Sequence, residues 1–208
     1  MPGALFTDRF AAGRLLASEL ESLADKRPIV FGLPRCGVPV AFEVAQHLGA
    51  PLDVALVRTV RANGGSDELL AMVMEGDPPT IRLEPDKAVD RGLIADAVDE
   101  LEKRLQLYRG HNRPMSPAGR TAIVVDQAIT SGHAIAAAIG LLRQAGARSI
   151  EVAAPVASDP GVARLSPMAE RVVALHRVPE VGSLERHFGD WRQVTHAEAL
   201  ACLEKARE

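Results

Sequence analysis

AIVVDQAITSGHA, residues 122–134, reads as a strand, a tight loop and the opening turn of a helix. Residues 122–125 form a short apolar run after Gly119, the pattern of a strand buried in a parallel sheet, and the strand is predicted to end at Asp126. From Gly132 to Ala145 the residues Ile135, Ala138, Ile139 and Leu142 recur at helical spacing, and Gly146 supplies a stop. The backbone N–H groups of Ala128, Ile129, Thr130, Ser131, Gly132, His133 and Ala134 are thereby gathered at a helix N-terminus, where free donors and the helix dipole favour an anion. Thr130 and Ser131 add hydroxyls, and Gly132 has no side chain to hold a phosphate away. Asp126 stands at the carboxyl end of the strand, where open α/β sheets bind ligands, and a carboxylate there accepts hydrogen bonds from hydroxyl groups. A phosphate cradle beside a diol-binding acid describes a site for a ribose 5-phosphate.

Upstream lies a complete βαβ unit. Asp8 or Thr7 is placed to cap a first helix running to about Ala24, with Phe10, Leu15, Leu16, Leu20 and Leu23 on its apolar side. Residues 28–32 read as a strand, Leu33-Pro34-Arg35-Cys36-Gly37 as a loop, and Pro39 as the first turn of a helix that closes at Gly49 before a strand at 52–57. The 122–134 segment with residues 149–154 makes a second unit. Two such units predict an open, mostly parallel, twisted sheet flanked by helices, with right-handed crossovers. Arg35, at a strand's carboxyl end and beside the donors of the next helix, suits a doubly charged phosphate group.

Residues 58–67 turn polar, and Gly64-Gly65 predict a mobile loop. Residues 72–83 read as two short strands about the Gly76-Asp77-Pro78-Pro79 turn. Residues 90–108 have helical periodicity and read as scaffold or as a homodimer surface, and 109–120 as a connecting loop. His47, His111 and His176 have no partner at ligand spacing. In the tail, residues 160–169 read as a helix, 171–175 as a strand, and Thr195 with Glu198 as the capping box of a last helix. Phe188 and Trp191 concentrate two rings in the loop before it; they either hold a ligand or cap the sheet.

The composition narrows the field. A 208-residue chain that is 47% hydrophobic can bury a full core. A net charge of −3, with five Phe, one Trp and one Tyr, argues against a nucleic-acid surface. No apolar run approaches the roughly 18 residues of a membrane span. The start, MPGALFTDRF, lacks the pattern of a signal peptide. Cys36 and Cys202 form neither a disulfide framework nor a metal-ligand spacing. A cytoplasmic protein with no nucleic-acid or membrane partner is the expectation.

Asp126, Ile129, Thr130, Ser131 and Gly132 match the phosphoribosyl pyrophosphate signature of type I phosphoribosyltransferases, and GLPRCGVPVAFEVAQHLGAPLDVALVR looks like the first unit of one bacterial branch of that family. The chain departs from the pattern at Gln127 (an acid in the family), at Ala134 (a small hydroxyl residue, here preceded by the bulky His133), at Cys36 (Gly) and at Thr59 (Lys). The resemblance implies one domain over residues 1–208, with a core at about 5–176 and a small C-terminal hood at about 177–208 to which the N-terminus contributes. It implies phosphoribosyl pyrophosphate as ligand, with Mg²⁺ bound mainly through that ligand, and transfer of the phosphoribosyl group to a base or amine with loss of pyrophosphate. Asp126 and Gln127 would face the ribose, and residues 128–134 the 5-phosphate. Pro34, Arg35, Cys36 and Gly37 would hold the pyrophosphate. Phe188 and Trp191 would meet the acceptor. The missing Lys is replaced by Arg58 or Arg61, and strand alternation favours Arg61. Gln127 leaves open an alternative, a catalytically weakened regulatory protein that binds the same ligand.

Overall fold

The computed structural model describes residues 4–62, 68–110 and 112–208. The glycine-rich loop at 63–67 and the reading of His111 lie outside them. Helix α1 (Arg9–Ser18) leads through a 3-10 turn to β1 (Ile29–Gly32), α2 (Gly37–Leu48) and β2 (Leu52–Val54). Next come β3 (Val57–Arg61), β4 (Leu69–Met74) and β5 (Thr80–Leu83), then α3 (Arg91–Arg109). The remainder is β6 (Thr121–Val125), β7 (Ala128–Ile129), α4 (His133–Gln144), β8 (Ser149–Ser158), α5 (Asp159–Leu165), β9 (Arg171–Val178) and α6 (His196–Lys205).

Six strands form a wholly parallel sheet: β2 beside β1, β1 beside β6, and β8 between β9 and the β6–β7 line. The central strands are buried on both faces, as a parallel sheet covered by helices requires. Alternation divides them. Val30, Ile123 and Val125 face one core with Leu16, Leu20 and Val44, while Ile29, Phe31, Ala122 and Val124 face another with Ile135, Ile139 and Leu142. The antiparallel sheet β3-β4-β5 packs between α3 and α4.

Several expectations need correction. The first helix is capped by Asp8, whose carboxylate accepts from Ala11 N–H at 2.7 Å, but it ends at Ser18; Leu20 and Leu23 are buried from a 3-10 turn, while Phe10 and Leu15 are exposed. The strand at 52–57 is two strands, because the chain leaves the parallel sheet after Val54 and enters the antiparallel one at Val57. Residues 58–61 are therefore strand rather than loop. Helix α2 starts at Gly37, two residues before Pro39, and α5 ends at Leu165, short of 169. β9 continues past Leu175 to Val178.

The segment before α6 is pinned to the start of the chain. Phe6 N–H donates to His187 C=O, Gly189 N–H to Phe6 C=O and Asp190 N–H to Thr7 C=O, at 2.8–2.9 Å. Phe188, fully buried, packs on Phe6 with ring centroids 5.5 Å apart, over Ala128 and Val156.

Candidate active site

β6 and β7 share one register against β8, Val125 opposite Ala153 and Ala128 opposite Val156, so they are a single strand interrupted at Asp126 and Gln127. The cause lies across the sheet. Asp126 N–H still donates to Ala153 C=O at 3.3 Å, but the return bond of a parallel ladder would have to come from residue 155, which is Pro and has no N–H. The ladder opens there, and Asp126 and Gln127 are pinched out of it at the carboxyl ends of the strands. The sequence reading ends β8 at Ala154, before this proline, and so misses both β7 and the device that presents Asp126.

Two helix N-termini converge on this opening. In the first, Leu33 N–H continues the ladder onto Val125 C=O at 2.9 Å and Arg35 takes a left-handed φ of 65°. The chain then enters α2 with no side chain capping the helix. Gly37 leaves little room for a side chain: a Cβ there would lie 3.0 Å from Asp126 Oδ1 and 3.0 Å from Val125 C=O. In the second, Gly132 has φ 76° at the uncapped start of α4, and a Cβ would meet Gly161 C=O and Leu165 Cγ at 3.2 Å. The loop is braced from behind, by Ser158 Oγ donating to Thr130 C=O and Arg164 Nε donating to Ser131 C=O at 2.9 Å, and Ser131 Oγ lies 3.0 Å from His133 Nδ1. Ser158, Gly161 and Arg164 carry no sequence signal for this role, because only the fold of α5 against the loop brings them there.

A cleft of about 300 Å³ has Pro34, Arg35 and Cys36 on one side and Asp126, Gln127 and Ala134 on the other; Ala134 is the one residue of 128–134 in its lining, and Gly37 is not part of it. Leu33, Val57, Arg58, Thr59, Arg104 and His196 complete its wall. Among the described residues Arg61 is not part of this lining. The expected alternation fails because β3 is the edge strand of its sheet and turns that edge toward the cleft, so successive residues reach it; a register shift between Val60 and Arg61 then displaces Arg61. Arg58 is ion-paired to Glu100 at 2.8 Å, as is Arg104 at 2.5 Å. Phe188 is a core ring rather than a cleft residue, and Trp191 is 56% exposed and outside the lining.

Burial pushes the Asp126 carboxyl up to about 7, against the opposing effects of the Gln127 N–H bond at 2.7 Å and the Arg9 charge. Arg9 is the group that sequence reading overlooks. Almost fully buried, it donates through Nε to Gln127 Oε1 at 2.8 Å and through its other nitrogens to the Asp190 and Trp191 carbonyls at 3.2 Å, with its guanidinium over the Phe188 ring. The Gln127 carbonyl oxygen is thus engaged, which leaves its NH₂ as the group for the cleft. Among the described residues no cluster of three or more His, Cys, Asp or Glu could hold a metal ion, and no helix is long and apolar enough to cross a membrane.

A parallel α/β sheet with two uncapped helix N-termini and an acid between them at the strand ends places the chain in a class of α/β proteins whose strand ends are suited to an anionic ligand. The phosphoribosyl transferase domain family matches residues 8–173, and the chain belongs to that family. It is 35% identical over 210 residues to the proteins named "Putative phosphoribosyl transferase" of two Mycobacterium tuberculosis strains, covering 97% of this chain and 47% of theirs. The chain therefore spans about half the length of those relatives. The crystal structure of TT1426 from Thermus thermophilus superposes with a TM-score of 0.80 at 36% identity, over 96% of this chain and 98% of that one. The AQ2163 protein of Aquifex aeolicus, at 10% identity and a TM-score of 0.51 over 81% of this chain and 74% of that one, shares the fold.

Proposed function

We propose that the chain binds phosphoribosyl pyrophosphate and transfers its phosphoribosyl group to a base or amine acceptor, releasing pyrophosphate. The observation that supports this most is the shared cleft, where two uncapped helix N-termini flank Asp126 at the point where Pro155 opens the sheet. In this reading residues 128–134 hold the 5-phosphate, Asp126 accepts from the ribose hydroxyls, and Pro34, Arg35, Cys36 and Gly37 hold the pyrophosphate, with Arg58 and Arg104 adding positive charge. The C1–oxygen bond breaks with its electrons moving to the departing pyrophosphate, the acceptor nitrogen's lone pair forms the new bond to C1 and its proton passes to solvent, while these residues orient the sugar and stabilise the separating charges. Mg²⁺ bound to the ligand would neutralise charge on the leaving group. A cation that keeps waters and phosphate oxygens needs no protein cage, and the sparse carboxylates of the cleft fit that mode. The hood, residues 177–208 with the N-terminal segment, is proposed to border the acceptor through its backbone and Arg9, a homodimer is consistent with the exposed Leu107 of α3, and the setting is proposed to be cytoplasmic.

Ribose 5-phosphate at 100 times its dissociation constant should stabilise the protein by about 2.7 kcal/mol, read as a rise in melting temperature. Gly132→Val should lose that shift, because a β-branched side chain at φ 76° both strains the loop and presses on Gly161 and Leu165 of α5, displacing the donors of the helix N-terminus. A shift retained by the variant would place the phosphate elsewhere.

The second reading, a binding protein of reduced activity, is favoured by one observation: Gln127 stands where the family has an acid. Arg9 at 2.8 Å bears on its test, since a carboxylate introduced there would pair with the guanidinium rather than face the sugar uncompensated. Gln127→Glu is therefore expected to raise pyrophosphate release by no more than about tenfold, about 1.4 kcal/mol of barrier. A hundredfold gain would mark the parent as a weakened enzyme and support the second reading.

A further inference from the structure

One polar cluster at the pyrophosphate end of the cleft takes no part in that reaction scheme. Tyr108, buried at the C-terminal end of α3, brings its hydroxyl to 2.9 Å from His196 Nδ1, and the two rings meet edge to face with centroids 5.5 Å apart. His196, half-buried, is the first residue of α6 and lines the cleft together with Arg35. The Arg35 backbone N–H also acts on the Tyr108 oxygen, at the residue whose left-handed φ shapes the loop. The Tyr108 hydroxyl beside Nδ1 fixes the orientation of the ring, and a phenol oxygen can accept from Nδ1–H once the imidazole is protonated, leaving Nε2 as the ring's other donor. The other charged or titratable groups around it are Arg35 and Cys36 from the loop, Arg58 from β3, Arg104 and Glu100 from α3, and Asp126 at the base of the cleft. On its own helix Glu198 is occupied by Arg192 at 2.7 Å and by the Thr195 cap. Cations and a helix N-terminus thus surround His196 in the ligand-free protein, and a diphosphate on the loop would reverse the sign of that field.

We propose that His196, positioned by Tyr108, is an additional contact for the diphosphate end of the ligand and takes up a proton when a diphosphate binds. This rests on the pyrophosphate reading of the Arg35 loop. Burial, Arg35 and Arg104 all hold the imidazole below its ordinary pKa in the free protein, so it enters the bound state uncharged at neutral pH and becomes charged there. By linkage, each unit by which bound diphosphate raises the His196 pKa is a tenfold preference of the diphosphate for the protonated protein. The advantage is complete below the free pKa and is lost as pH rises through the bound one.

The experiment measures inorganic pyrophosphate affinity by calorimetry at pH 6 and pH 8 for the parent, His196→Gln and Tyr108→Phe. The comparison between proteins at one pH cancels the titration of pyrophosphate itself. His196→Gln is expected to weaken binding roughly tenfold at pH 6 and less than threefold at pH 8, and Tyr108→Phe to reduce that difference while retaining the ring. The imidazole C–H resonance of His196, assigned by its absence in His196→Gln, is expected to titrate at higher pH when pyrophosphate is bound. Equal losses at both pH values would make His196 merely structural, and no loss would remove it from the site; either overturns the inference while leaving the phosphoribosyl reading standing. A parent that does not bind pyrophosphate overturns both.

Discussion

Asp126→Asn is expected to make the ligand-free protein more stable at neutral pH and at the same time to remove most of its turnover. The folded carboxyl titrates at about 7 and the ordinary value is 3.8, so between those limits the folded protein binds a proton that the unfolded chain releases. Below about pH 4 both states are protonated and the group contributes nothing to pH dependence. As pH rises from there to 7 the unfolded state gains by ionising, and stability is lost across that window, roughly 2–4 kcal/mol in all. Asparagine keeps the shape and the bond from Gln127 N–H but has no proton to lose, so its stability should stay flat where the parent declines. Urea denaturation of both proteins from pH 4 to 8 measures this, and parallel curves would show that Asp126 ionises normally. In turnover the sign reverses. The negative charge is expected to matter most beside a sugar ring that becomes cationic, and its removal should lower pyrophosphate release by about a hundredfold or more. A residue whose neutralisation stabilises the fold while disabling it is what a site under functional constraint looks like.

Asp126 also shows which parts of the molecule are legible in the sequence. The apolar runs of β1 and β6, the glycine stops of α2 and α4 and the Thr195–Glu198 capping box are local signals, and each leads to an element within a few residues of where it stands. What escapes is whatever depends on a partner distant in sequence. The opening at Asp126 is caused by Pro155, 29 positions on; Arg9 reaches Gln127 across 118 positions; Tyr108 meets His196 across 88. Strand alternation favours Arg61 over Arg58, whereas β3 turns an edge to the cleft. Phe188 stands out as an acceptor contact because aromatic residues are scarce in this chain, but that scarcity is equally a reason to place one against Phe6, where it anchors the C-terminal segment. The chemistry-bearing loops can be read because their function lies in the backbone. The side chains that tune them cannot.

Arg109 is the extreme case, and its replacement should have the largest effect on stability. Sequence alone puts Arg109 at the start of a connecting loop after a scaffold helix, yet it is 6% exposed and uses every arm of its guanidinium. It donates to Glu75 Oε2 at 2.9 Å and Oε1 at 2.8 Å, to Asp53 Oδ1 at 2.6 Å and to Val54 C=O at 2.8 Å. Asp53 in turn accepts from Met115 N–H at 2.8 Å. One side chain thereby ties α3 to β2 of the parallel sheet, to the end of β4 in the antiparallel one and to the loop entering β6. Burial works against its charge, and the hydrogen bonds and charges of Glu75 and Asp53 more than compensate, leaving its pKa above the ordinary value. Arg109→Met fills the space but leaves two buried carboxylates without their cation, a loss of about 3–5 kcal/mol. One control separates orphaned charge from lost packing: adding Asp53→Asn and Glu75→Gln to Arg109→Met should recover part of the loss at pH 7. If the triple variant is as unstable as Arg109→Met alone, the network acts through geometry and not through charge. The same helix carries Arg104 and Tyr108 into the cleft region, so a loosened Arg109 should also weaken pyrophosphate binding in variants that still fold, which ties the buried network to the site through the placement of α3.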